Sequence, residues 1–111
     1  MNHIIAQLLP AAGILTDIYT APIRKILWIN QIIAGNQSAI SDTIRVSIAK
    51  AGALDNPSQY LYYDVAMCAN STTVFDLVLN LNPGDVIRVY STNGTTAFNI
   101  FGVTFDNLRG S

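Results

Sequence analysis

Enzyme chemistry starts from side chains that can attack, ligate or carry a proton, and this sequence is poor in them. Its 111 residues hold seven carboxylates, all of them Asp, one His (His3) and one Cys (Cys68), and no Glu. General acid–base and nucleophilic catalysis set a His, Glu or Cys beside a partner that orients it. His3 stands near the start of the sequence. Cys68 ends an expected strand, where it reads as a small, partly buried side chain rather than a nucleophile. Paired carboxylates for glycoside hydrolysis would have to come from the Asp residues. Asp42, Asp55, Asp85 and Asp106 fall in expected turns or strand starts, where Asp caps nearby backbone groups. Asp64 and Asp76 fall on expected outward faces. No Gly-rich phosphate loop, zinc spacing or calcium loop is present. The expectation is a protein that is not an enzyme, with no catalytic residues, no cofactor and no metal.

Aromatic side chains are the remaining chemical signal. Tyr60, Tyr62 and Tyr63 stand within four positions, and Trp28 is the only Trp. Tyr and Trp combine apolar area with a polar handle and are enriched at protein interfaces. They also stack on sugar rings. Strict alternation over 60–67 places Tyr60, Tyr62 and Asp64 on one face and Leu61, Tyr63, Val65 and Met67 on the other. The candidate interface residues are therefore Trp28, Ile32, Tyr60, Tyr62, Asp64 and Tyr90. The plainer alternative is that Trp28 and Tyr63 fill the core.

The elements that must position these residues read as strands. In Thr43-Ile44-Arg45-Val46-Ser47-Ile48, alternation aligns Ile44, Val46 and Ile48. In 74–81 it aligns Phe75, Leu77, Leu79 and Leu81. The runs 85–90 and 98–105 are rich in β-branched and aromatic residues. In the second run Phe101, Val103 and Phe105 share a phase, with Gly102 as a bulge candidate. Asn82-Pro83-Gly84-Asp85 has the Pro and Gly of a type II turn joining two antiparallel strands, and Asn93-Gly94 is a hairpin signal. Loops are expected at 35–41, 51–58 and 68–72, each rich in Gly, Pro, Ser or Asn.

The segment 23–33 fits two periods. Ile23, Ile26, Leu27, Asn30 and Ile33 have helical spacing. As a strand it sets Trp28 and Ile32 against Leu27, Ile29 and Ile33, apolar on both faces. The Ile residues lose side-chain freedom in a helix, so the strand is the expectation, covered by a second layer on one side and by a neighbouring subunit on the other. The result is an all-β chain of about eight strands: one antiparallel β-sandwich, jelly-roll or Ig-like, over residues 1–111. Residues 1–14 would form a terminal strand or an arm exchanged between subunits.

Charge narrows the possible partners. Half of the residues are hydrophobic and only 12% are charged, with a net charge of -1. A domain of this size exposes about 6,000 Å², so charged residues cover it at roughly half the usual density. Nucleic-acid binding wants clustered Lys and Arg, and a membrane helix wants about 18 apolar residues in a row; neither pattern occurs. Met1-Asn2-His3-Ile4-Ile5-Ala6 lacks the basic region of an export signal. Near-zero net charge promotes association, so the surface is expected to be covered by other protein.

Four blocks carry a family resemblance: Asp17-Ile18-Tyr19-Thr20-Ala21-Pro22, Gln59-Tyr60-Leu61-Tyr62-Tyr63-Asp64, Gly84-Asp85-Val86-Ile87-Arg88-Val89-Tyr90 and Phe98-Asn99-Ile100-Phe101-Gly102. In this order they resemble small structural proteins of tailed bacteriophage particles, over roughly Leu15 to Val103. Gly35-Asn36 departs from the Cys-Asn-Arg-like turn usual there, so nothing is carried over to that loop. The resemblance implies a virion component assembled in the host cytoplasm. The expected function is a capsid cement or decoration protein that binds across major capsid subunits and stabilises the head. Its partner would be the major capsid protein or another virion protein. A homo-oligomer is expected, with a trimer favoured by the local three-fold positions of a capsid lattice. The alternatives are a tail, baseplate or fibre component, and a carbohydrate-binding module for host attachment.

Overall fold

Apolar alternation and turn punctuation produce eight strands: β1 (His3–Leu8), β2 (Thr16–Thr20), β3 (Lys25–Asn36), β4 (Asp42–Ala49), β5 (Tyr60–Met67), β6 (Thr72–Leu81), β7 (Val86–Ser91) and β8 (Thr96–Asp106). The structure, a computed structural model, describes residues 3–106. The strands form two four-stranded antiparallel sheets, β1-β8-β3-β6 and β2-β7-β4-β5. Every connection but β4–β5 crosses from one sheet to the other. Of the two expected sandwiches, this is the jelly roll and not the Ig-like arrangement. β1 pairs with β8 of its own chain.

The crossing connections correct the reading of both tight turns. Asn82-Pro83-Gly84-Asp85 does reverse the chain: Gly84 has φ +91°, and the Asp85 amide donates to the Asn82 carbonyl at 3.0 Å. Yet β6 and β7 lie in different sheets, and so do β7 and β8 on either side of Asn93-Gly94. Neither turn closes a hairpin. Turn chemistry encodes a reversal, and core packing decides which sheet receives the next strand.

The core lies between the sheets. Leu27, Ile29, Ile32, Phe98 and Ile100 come from one, and Ile44, Val46, Met67, Ile87 and Val89 from the other. Burial of each such side chain is worth about 1.5 to 3 kcal/mol. Segment 23–33 is a strand from Lys25 onward, after a turn at Ile23-Arg24, but its faces differ from strict alternation. A bulge between Ile29 and Gln31 shifts the phase, so that Ile32 joins Leu27 and Ile29 inside while Trp28 stays outside. Only one face of this strand is buried. At one side of the sandwich, Tyr62 of β5 meets Phe75 of β6 with ring centroids 4.2 Å apart.

Buried polar side chains tie one end of the sandwich together. Asn36 donates to the carbonyls of Ile40 and Cys68 and accepts from the Ser38 amide and the Thr95 hydroxyl. Asp42, which is almost fully buried, accepts from the Ser91 hydroxyl, the Thr96 hydroxyl at 2.7 Å and the Asn93 amide at 2.9 Å. Asp42 therefore locks strands distant in sequence and does not merely cap its own turn. Buried polar groups in such clusters are satisfied reciprocally, and here they fix three loops.

Candidate functional site

The two outer faces of the sandwich differ in chemistry. The strands of β1-β8-β3-β6 contain three charged residues, Lys25, Asp76 and Asp106. Their outer face shows large apolar side chains: Val78 is 84% exposed, Ile4 52%, Val74 48% and Trp28 47%. Trp28 meets Phe105 edge to face, with centroids 4.8 Å apart. Asp76 accepts a hydrogen bond from Gln31 at 3.0 Å, and Gln7 donates to Asn99 at 2.6 Å. Phe105, 42% exposed, lies on the same face.

The face of β2-β7-β4-β5 carries ion pairs and tyrosines instead. Asp17 accepts from Arg88 at 2.8 Å, and Asp64 from Arg45 at 2.6 Å. The Arg45 guanidinium lies 4.2 Å from the Tyr63 ring centroid and 4.5 Å from that of Tyr90, in cation–π range of both. Tyr60 meets Tyr63 edge to face at 5.1 Å. Beside them opens a cleft of about 410 Å³, lined by Arg45, Asp55, Pro57, Tyr60 and Tyr63.

Two irregularities in β5 assemble this group. Register against β4 slips on both sides of Val46, which pairs with Tyr62 while Ile44 pairs with Val65 and Ser47 with Tyr60. Asp64 takes a left-handed conformation with φ 52°, which Asp tolerates better than most residues. The extra residues turn Tyr62 inward and bring Tyr60 and Tyr63 together outside.

Electrostatics follow the contacts. The hydrogen bond to Asp64 raises the Arg45 pKa, against a smaller effect of burial. Burial, and then the neighbouring Asp55 carboxylate, push the Tyr60 phenol above its usual range, with a weaker opposite pull from Arg45. For Asp42, burial pushes upward, but the hydrogen bonds from Ser91, Thr96, Asn93 and Thr43 outweigh it and leave the carboxyl below its usual range.

The expected interface residues are split among three places. Trp28 lies on the apolar face. Tyr60, Asp64 and Tyr90 gather around Arg45 on the opposite one. Ile32 is fully buried inside the core, and Tyr62 is partly buried against it. Tyr63, for which a place in the core is the plainer alternative, is 58% exposed. Sequence reasoning missed Arg45, although its outward phase between Ile44 and Val46 was visible. It also missed the apolar outward phase of Val74 and Val78, opposite Phe75 and Leu77.

Among the described residues no three His, Cys, Asp or Glu side chains gather to hold a metal ion, and no helix is long and apolar enough to cross a membrane. No known protein family, curated protein or solved structure matches the chain.

Proposed function

We propose that this protein is a non-enzymatic building block of a tailed-phage particle, a cement or decoration protein that docks on the capsid through the outer face of β1-β8-β3-β6. The observation that carries the reading is that face itself, where Ile4, Trp28, Val74 and Val78 stand in solvent on strands with almost no charge. Solvent gains nothing from such a surface, while a partner that covers it gains about 25 cal/mol for each Å² of apolar area removed from water. The phage setting itself comes from the expected resemblance of the Tyr-rich and aromatic-Asn blocks to phage structural proteins.

Docking across joints between major capsid subunits adds contacts that oppose internal pressure. Repetition over the shell lets modest single interfaces sum to a large stabilisation. A symmetric homo-oligomer, a trimer first, would match local three-fold positions. The test is copy number in purified particles, measured by quantitative gel. A count near that of the capsid subunits supports the cement role. A handful or a few dozen copies assigns the chain to the tail, baseplate or fibre, and none rejects the reading.

A further inference from the structure

We propose that the cleft lined by Arg45, Asp55, Pro57, Tyr60 and Tyr63 is a binding site for neutral sugar units of a glycan. It is independent of the docking reading, because it lies on the other sheet and uses none of the same residues.

Charge excludes the simpler ligands. Arg45 is already paired with Asp64 at 2.6 Å, and Asp55 brings a second carboxylate to the cleft. An anion would meet two carboxylates and one guanidinium that is already engaged. A cation would seek the faces of Tyr63 and Tyr90, but Arg45 occupies the position between them. What remains is a neutral ligand rich in hydroxyl groups.

The groups present suit such a ligand. A guanidinium has five N–H donors, of which the Arg45 Nε–H serves Asp64. The Tyr60 hydroxyl is hydrogen-bonded to the Asp55 carboxylate, which leaves lone pairs on both groups to accept from a ligand. A sugar hydroxyl is itself both donor and acceptor, so alternating donors and acceptors at a cleft wall match a vicinal pair. The exposed Tyr63 ring offers an apolar platform for the C–H face of a pyranose. The volume, about 410 Å³, falls within the range of small-molecule sites.

One observation supports a built site. The loop that forms one wall is pinned. Arg88 donates to the Ala53 carbonyl at 2.8 Å, the Ala51 amide to Asp85 at 2.9 Å and Gln59 to the Leu54 carbonyl at 2.9 Å. The wall is thus held in place before a ligand arrives, which lowers the ordering cost of binding.

The experiment is a glycan array probed with the labelled full-length chain, carrying neutral hexose oligosaccharides, sialylated and uronic-acid glycans, and a choline-bearing control. The strongest neutral glycan is then titrated by calorimetry. Neutral glycans should bind, Tyr63→Phe should keep binding, and Tyr63→Ala and Asp55→Asn should each weaken it about tenfold or more. Val78→Ser, on the opposite face, should change nothing. Circular-dichroism melts confirm that each variant is folded, and if Tyr63→Ala is not, Asp55→Asn in the exposed loop decides. Absence of neutral-glycan binding, binding confined to acidic or choline-bearing probes, or binding indifferent to Asp55→Asn would each overturn the site. A chain that coats particles but binds no glycan loses this site and keeps the docking face. The opposite result does the reverse.

Discussion

Gly102 lies so close to Trp28 that a Cβ on it would stand 2.1 Å from the Trp28 carbonyl oxygen. The cause is the path of the neighbouring strands. β3 carries an extra residue between Ile29 and Gln31 opposite the consecutive pair Gly102 and Phe101. β1 carries one between Ile4 and Ala6 opposite Phe101 and Ile100. The bulges therefore lie on both neighbours of β8 and not at Gly102 itself, which instead leaves room for the approaching backbone.

Gly102→Ala should consequently be destabilising although it adds a single methyl group. The clash is with main chain, so no rotamer change relieves it, and β3 must move. A cost of about 2 to 3 kcal/mol is expected, enough to lower the melting temperature by roughly 10 °C. A thermal melt followed by circular dichroism measures it. A midpoint equal to that of the parent chain would contradict the close approach.

Asp42 makes stability depend on acid. Its carboxyl has a lowered pKa in the fold, against a reference value of 3.8. A group with a depressed folded pKa stabilises fully above its unfolded value and loses that contribution as pH falls through the folded one. Urea unfolding should therefore show stability dropping from just above pH 4 downward. Asp42→Asn should flatten that drop, and Asp42→Ala should cost about 2 to 4 kcal/mol at neutral pH by orphaning the Ser91 and Thr96 hydroxyls. An unchanged acid slope in Asp42→Asn would assign the effect to another carboxylate.

Tyr62 and Tyr63 should exchange the roles that simple alternation assigns them. Tyr62 packs on Phe75 and the core, so Tyr62→Ala is expected to cost about 2 to 3 kcal/mol. Tyr63 is mostly exposed and loses only its contacts with Arg45 and Tyr60, so Tyr63→Ala should cost about 1 kcal/mol or less. Denaturant midpoints of the two variants decide the order, and equal costs would place both rings alike.

The same pair shows where the sequence was legible and where it was not. In β6 the alternation of Phe75, Leu77, Leu79 and Leu81 runs unbroken, and the face expected to meet the core is the one that does. In β3 the same reasoning fails after a few residues, because an inserted residue inverts every later assignment, and in β5 two register slips invert Tyr62 and Tyr63 while Asp64, Val65 and Met67 keep their expected faces. Nothing local announces the bulge at Gln31, and Asp64 is one Asp among seven. Sheet membership was equally hidden, since Pro83-Gly84 and Asn93-Gly94 specify reversals alone. The Arg45 cluster needed both pieces of missing information: the phase of β5 and the pairing of β4 with both β5 and β7.

Docking through the apolar face predicts two behaviours that an ion-paired interface would not share. Val78 is 84% exposed and centrally placed in β6, so Val78→Asp should change the stability of the isolated chain by about 0.5 kcal/mol at most. On a covered face the new carboxylate would be stripped of water without a partner, which is costly. Particle occupancy in competition with the parent chain should therefore fall about tenfold or more. Salt acts the other way: at about 1 M ionic strength surface charges are screened within roughly 3 Å, while apolar contact persists. Occupancy of the parent chain should hold as salt rises. If salt strips the chain from particles and Val78→Asp does not, the docking surface is the opposite sheet, where Arg88 and Asp17 and Arg45 and Asp64 form their pairs.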